Sequence, residues 1–243
     1  MDTSVLEQTV GQLVANRPSR SRVFEAFGID YCCGGKRRLG EACQAVGADP
    51  GEVVGALKAS EEGAGGETET DWTKETMSDL VDHIISTHHF YLRVELPRLA
   101  GMTEKVAAVH GQNHPELVEC REVFAGLRAE LESHMGKEEQ VLFPMIKTLE
   151  LATSRPEFHC GSVRNPITMM EHEHDDAGRA LARLRALTGG FTPPEDACNT
   201  YRACLDGLAQ LEADLHRHIH KENNILFPRA SKREADLANG EME

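Results

Sequence analysis

Two stretches of this sequence pair a histidine with a glutamate in the same pattern. They are His134-Met-Gly-Lys-Glu138 followed by Leu142-Phe143-Pro144, and His218-Ile-His-Lys-Glu222 followed by Leu226-Phe227-Pro228. The shared pattern is H-x-x-K-E-x-x-x-L-F-P, and the copies lie 84 residues apart. Residues i and i+4 stack on one helix face, so each copy offers an imidazole and a carboxylate in the same direction. Two such helices facing each other bring both pairs to one point, which suits metal. Carboxylates able to bridge point to two ions rather than one.

The elements that must position these groups are helices. Four long amphipathic helices are predicted near 75–109, 115–149, 165–188 and 195–230, with Pro97 expected to bend or interrupt the first. Alternating β-branched runs are few, so strands are not expected. The connections hold the Gly, Pro and Asn: GQNHP at 111–115, TSRPEFHCGSVRNP at 153–166 and TGGFTPP at 188–194. Two hairpins with the same closing motif imply an internally duplicated, up-down-up-down four-helix bundle.

Helical phase sorts the 12 histidines. In the fourth helix Tyr201, Cys204, Leu208, Leu211, Leu215, His218, Glu222 and Ile225 keep spacings of three and four, which leaves His216 and His220 off the stripe. Phe124, Leu127, Leu131, His134, Glu138 and Val141 do the same in the second helix, without Glu139. In the third, Ile167, Met170, His174, Ala177, Leu181 and Leu184 place His174 inside and His172 outside. The first helix has Val81, Ile85, Leu92 and Leu96, and either His88 or His89 can fill the gap. His218 follows His174 by 44 residues, whereas His134 follows His89 by 45 and His88 by 46, which favours His89.

A single inward histidine is ordinarily a hydrogen-bonded core residue. Four of them with two inward glutamates are different, because buried carboxylates require positive charge nearby. Six mixed ligands exceed the four of structural zinc, and no thiolate lies close on the stripe, which argues against an iron–sulfur cluster. Imidazole with bridging oxygen suits iron or manganese. Only Glu171-x-x-His174 matches the Glu-x-x-His of ferritin-type sites, and its partner is missing. His-x-x-x-Glu twice, with a lone histidine on each remaining helix, resembles the hemerythrin-type di-iron site. Glu130, one turn before His134, and Glu173, beside His174, are candidate orienting or access groups.

Composition sets the frame. The chain has 243 residues and a net charge of −14, from 26 basic and 40 acidic side chains. Neither nucleic acid nor an anionic membrane surface is expected as a partner. No apolar run approaches a membrane span, and no secretory signal is recognised at the N-terminus, so a cytoplasmic location is expected. Seven cysteines do not form a secreted disulfide pattern. The expected organisation is a small helical domain at 1–59, a Gly/Glu/Thr linker at 60–71, the bundle at 72–232 and a tail at 233–243. In the small domain Pro18-Ser19 opens a short helix ended by Gly28, and Asp49-Pro50-Gly-Glu52 opens another. Its core is too small to be stable without help. Between those helices Cys32-Cys33 forms a turn, and Gly34-Gly35 frees the backbone to approach another molecule.

Asp30-Tyr31-Cys32-Cys33-Gly34-Gly35-Lys36, ahead of a bundle carrying HMGKEEQVLFPMI, resembles the repair-of-iron-centres di-iron proteins of bacteria, from about residue 5 to 230. The resemblance implies a hemerythrin-like bundle behind a small helical domain. It also implies two non-haem iron ions joined by oxo or carboxylate bridges. The function implied is restoration of iron–sulfur clusters damaged by nitric oxide or peroxide, through iron donation or nitric oxide removal of the nitric oxide reductase type. Matched by position, the ligands would be His89, His134, Glu138, His174, His218 and Glu222, with the glutamates bridging. Glu130 and Glu173 would be the nearby carboxylates, and Cys32 and Cys33 the reactive pair. Damaged iron–sulfur proteins and nitric oxide would be the partners, and a homodimer is compatible. The alternative is a hemerythrin-like protein that binds or senses oxygen or nitric oxide, for which the cysteine domain has no evident use.

Overall fold

A computed structural model describes residues 3–63 and 70–240 of the chain. In chain order the helices are α1 (Thr3–Leu6), α2 (Val10–Asn16), α3 (Arg20–Phe27), α4 (Leu39–Val46), α5 (Pro50–Gly63), α6 (Met77–His83), α7 (Phe90–His110), α8 (Glu116–Lys137), α9 (Phe143–Leu151), α10 (Arg164–Leu187), α11 (Asn199–Lys221) and α12 (Phe227–Asn239). Among the described residues an isolated bridge between Thr9 and Arg38 is the only strand-like pairing, so the chain is all-α. Two units divide it: Met1–Leu80 with Leu149–Arg155 and His216–Glu243, and Val81–Thr148 with Pro156–Leu215.

The expected linker spans residues 60–71. Helix α5 runs on to Gly63, and residues 64–69 of that segment lie outside the described residues. Helix α12 continues through residues 233–239 to Asn239, with Glu234 and Leu237 buried.

In the first unit, α2 to α5 pack around Val10, Leu13, Phe24, Tyr31, Leu39, Val53 and Leu57. Thr9 caps α2 by accepting the Gln12 N–H, and Asp49 caps α5 by accepting that of Glu52 at 3.0 Å. Gly28 ends α3 in the left-handed region, at φ 68°, where a Cβ would be strained. The help that this small core needs comes from the C-terminal stretch of the same unit. The Asn224 side chain fills a slot floored by Gly11 and Gly35, whose backbones bond to each other (Gly11 N–H to Gly35 C=O, 2.9 Å). A Cβ at either glycine would overlap Asn224, so Gly35 is approached by this chain itself and not by another molecule. Elsewhere in the unit, Glu150 caps α6 through the Met77 and Ser78 N–H groups, and Arg229 donates to the Trp72 and Glu75 carbonyls.

In the second unit the apolar stripes of α7, α8, α10 and α11 meet in one core, with Leu92, Leu96, Phe124, Leu127, Leu131, Leu181, Leu208, Leu211 and Leu215 at 5% exposure or less. Helix α7 is unbroken at Pro97, which faces solvent, where water can serve the carbonyl the proline cannot.

Three helical runs contain a π turn: Ile84–His89 between α6 and α7, Glu138–Leu142 between α8 and α9, and Glu222–Leu226 between α11 and α12. The Phe143 N–H bonds to the Glu138 carbonyl and that of Phe227 to Glu222, five residues back. The L-F-P motif accounts for both. Pro144 and Pro228 have no N–H, and each ring crowds the carbonyl four residues earlier; a widened turn just ahead relieves that crowding. The extra residue also changes the register. Val141, expected inside, is 46% exposed and Leu142 is buried in its place; Ile84 likewise replaces Ile85 in the core.

Gly35→Ala is expected to lower the unfolding free energy by about 1–3 kcal/mol through overpacking against Asn224. Gly55→Ala, on an open face of α5 where a Cβ meets nothing within 4 Å, should instead be neutral or stabilising by about 0.5–1 kcal/mol. Urea unfolding of the two variants side by side checks this; equal midpoints would contradict the packing described.

Candidate metal centre

The π turns sit where the chemistry is. His89 ends the first; Glu138 and Glu222 begin the second and third, each one helical turn after His134 and His218. His174 lies mid-helix in α10, which has no such turn. Placing a single wide turn at a functional position is a recurrent use of π geometry, because it re-aims side chains without ending the helix. All six residues are buried, at 0 to 3% exposure.

Their donor atoms form two groups. Those of His89, Glu138, His218 and Glu222 lie within 4.8 Å of one another, and so do those of His134, Glu138, His174 and Glu222. Glu138 and Glu222 are common to both groups, and each group adds two histidines of its own. Glu138 Oε2 is 3.3 Å from both His89 Nε2 and His134 Nε2. His134 and His174 face each other through Nε2 at 3.1 Å, and His218 Nε2 is 3.1 Å from Glu222 Oε1. Ligands bound at about 2.1 Å and right angles around one ion stand about 3 Å apart, so these spacings fit edges of a coordination polyhedron. Carboxylates buried this deeply need cationic charge beside them, and imidazole nitrogen with carboxylate oxygen is a donor set that first-row metal ions accept. The residues therefore fit metal binding.

The outer nitrogens of two of these rings are held by further carboxylates. Glu139 accepts from His89 Nδ1 at 2.6 Å and is clamped by Arg93 at 2.7 Å. Glu173 is 2.9 Å from His134 Nδ1 and pairs with Lys137. Partial burial raises both carboxyls, but the bonds from Arg93 and His89, and from Lys137 and His134, outweigh it and leave both below the usual range. An ionised carboxylate on Nδ1–H keeps the proton there and leaves Nε2 as the donor to metal.

Glu173 thus lies where an orienting group must be, whereas Glu130 is exposed on α8 and belongs to neither donor group. His88, the rival of His89, turns away to Asp214, 3.0 Å from its Nδ1 and buried with it. Sequence reasoning missed Glu139 and Asp214. Glu139 falls off the apolar stripe and touches a ring on another helix. Asp214 had a readable signal: it stands 84 residues after Glu130, at the same place in the second copy of the motif.

Cys32 and Cys33 lie in the first unit, on a turn built by Asp30. Its Oδ1 accepts the Cys32 and Cys33 N–H groups at 3.0 Å, and its Oδ2 accepts that of Gly34 at 2.9 Å. The two sulfurs are 4.0 Å apart and are not joined in a disulfide. Asn224, two residues beyond Glu222, donates to the Tyr31 and Cys32 carbonyls at 3.3 and 2.9 Å. His220 Nδ1 is 3.4 Å from the same Tyr31 carbonyl, and burial pushes its pKa down to about 4. The hydrogen bond with Cys33, together with burial, holds the Cys32 thiol well above its ordinary value.

A family model described as the Hemerythrin HHE cation binding domain matches residues 80–230, and a domain of unknown function, DUF542, matches residues 6–61. The chain is 35% identical over 226 residues to a probable iron-sulfur cluster repair protein of Haemophilus influenzae, covering 93% of this chain and 97% of that one. It is 37% identical over 228 residues to the iron-sulfur cluster repair protein YtfE of Dickeya chrysanthemi, covering 94% and 98%. The YtfE protein of Escherichia coli O81 is 38% identical over 226 residues, covering 92% and 96%. No helix among the described residues is long and apolar enough to cross a membrane.

Glu139→Gln is expected to weaken metal retention about 10- to 100-fold, because a carboxamide cannot fix the imidazole tautomer as an ionised carboxylate does. Glu130→Gln should leave retention unchanged. Dialysis against a graded chelator followed by elemental analysis measures both, and equal losses would contradict the roles assigned.

Proposed function

The chain belongs to the family of iron-sulfur cluster repair proteins built on a hemerythrin HHE cation binding domain, and from that premise we propose that it holds two non-haem irons and restores iron–sulfur clusters damaged by nitric oxide or peroxide. The observation that carries this reading is the pair of donor groups sharing Glu138 and Glu222. In it, His89 and His218 would hold one iron and His134 and His174 the other, with Glu138 and Glu222 available to both. When bound, the irons supply a redox-active, Lewis-acidic pair suited to nitric oxide and to electron transfer.

The chain's own residues do the rest. Glu139 and Glu173 keep the Nδ1 protons of His89 and His134 in place and so aim both Nε2 lone pairs inward. The Phe143 ring stacks on His89 at 5.7 Å between centroids, and burial of the donors keeps bulk water from them. All six donors are nitrogen or oxygen. Iron held without thiolate is exchangeable toward the sulfur-rich site of a damaged cluster, which favours donation as the repair step. Removal of nitric oxide at the same pair is the companion activity. The working partners are damaged iron–sulfur proteins and nitric oxide, in the cytoplasm.

Metal analysis of the purified chain is expected to find about two irons, and His134→Ala or Glu222→Ala should lose most of them. The iron-loaded protein should restore activity to a dehydratase whose cluster was destroyed by nitric oxide. Consumption of nitric oxide without restoration would replace the repair reading with that of a gas-binding protein, and absence of iron would overturn both.

A further inference from the structure

The donor set at the head of the Cys32 turn is independent of the centre described above. Cys32 Sγ, Cys33 Sγ and an Asp30 carboxylate oxygen all lie within 4.8 Å of one another. The sulfurs are 4.0 Å apart, and Cys32 Sγ is 3.3 Å from Asp30 Oδ1. Around a tetrahedral ion with metal–sulfur bonds of about 2.3 Å and metal–oxygen bonds of about 2.0 Å, the corresponding spacings are about 3.8 and about 3.5 Å. These two spacings are within a few tenths of an ångström of those of a ligand set, and the third pair, Cys33 Sγ and the Asp30 carboxylate, lies within 4.8 Å.

Neighbouring side chains on an extended strand point to opposite faces, so adjacent cysteines do not ordinarily reach one ion. Here the turn brings both sulfurs to one side, and it is firmly held. Three backbone N–H groups fix Asp30, and Asn224 holds the Tyr31 and Cys32 carbonyls. Gly35 cannot be replaced without displacing Asn224. Cys32 is buried, Cys33 half-buried and Asp30 exposed, so the set is open to solvent on the Asp30 side.

We propose that Asp30, Cys32 and Cys33 form a second metal site, which takes one thiophilic divalent ion of the first row, such as iron(II), zinc or cobalt(II), and keeps one coordination position open. The ion takes the place of the proton that the Cys32 thiol shares with Asp30 Oδ1. Both thiols bind as thiolates, two protons pass to solvent, and no electron is transferred. The site stands without the repair reading. Where that reading holds, it is the point at which iron in transit first acquires sulfur ligands.

The test is an anaerobic titration of the full-length, iron-loaded and thiol-reduced protein with cobalt(II). Nitrogen and oxygen ligands give no thiolate-to-metal charge transfer, so the near-ultraviolet band reports thiolate ligation, and its loss in the serine variants below distinguishes this turn from the exposed thiol of Cys198. The band is expected to saturate at about one equivalent, with about two protons released per ion. Cys32→Ser and Cys33→Ser should each abolish it while leaving helical circular dichroism and iron content intact. Asp30→Asn, whose amide oxygen can still accept the Cys32 and Cys33 N–H bonds although that of Gly34 is lost, should weaken cobalt binding about tenfold. A band undiminished in both serine variants, or no band from protein whose thiols titrate as reduced, would overturn the site. Repeating the titration on iron-poor His134→Ala protein separates the two centres, since the cobalt band should survive there.

Discussion

Two carboxylates at 0% exposure, Glu138 and Glu222, impose the constraint on which the rest depends. Moving an ionised carboxylate into a protein interior costs several kcal/mol unless charge and hydrogen bonds compensate. Four imidazoles surround these two and can compensate only if they also bring a cation with them. That requirement explains why imidazoles and carboxylates meet at one point inside stripes that are otherwise largely apolar. It also explains why Glu139 and Glu173, whose charges serve the ring nitrogens, sit partly exposed beside Arg93 and Lys137, where those charges are tolerable.

The internal duplication was kept where it serves the donors and abandoned elsewhere. Both copies retain histidine, glutamate, leucine-phenylalanine-proline and the π turn. Around them equivalent positions have diverged. The carboxylate one turn ahead of the histidine is exposed Glu130 in the first copy, and in the second it is Asp214, buried against His88. After the glutamate common to both donor groups, the first copy places Glu139 on His89, while the second has Asn223-Asn224 and uses Asn224 to hold the cysteine turn. One copy thus supports a ligand from outside, and the other ties the N-terminal residues to the helix that carries Glu222.

Much of this was legible in the residue order. A stripe with spacings of three and four depends only on helical geometry, so the inward placement of His134, Glu138, His174, His218 and Glu222 follows from local pattern. The choice between His88 and His89 did not, because a π turn shifts the phase by about 100° per added residue and Ile84–His89 lies wholly within one. The same shift exposed Val141. For the second and third π turns, a proline six residues beyond a buried glutamate is the available signal, and it is readable only once its steric consequence is considered.

Periodicity and composition were sufficient for the all-α class and for the inward phase of five of the six donors, His89 excepted, since each of these is a statement about one helix at a time. The partners of those donors were not: Glu139 reaches His89 across 50 residues of chain, Asp214 reaches His88 across 126, and Asn224 reaches Cys32 across 192. Those pairings depend on which helix faces which, and on how far a widened turn rotates a side chain. They arise from packing between segments, which no local pattern encodes.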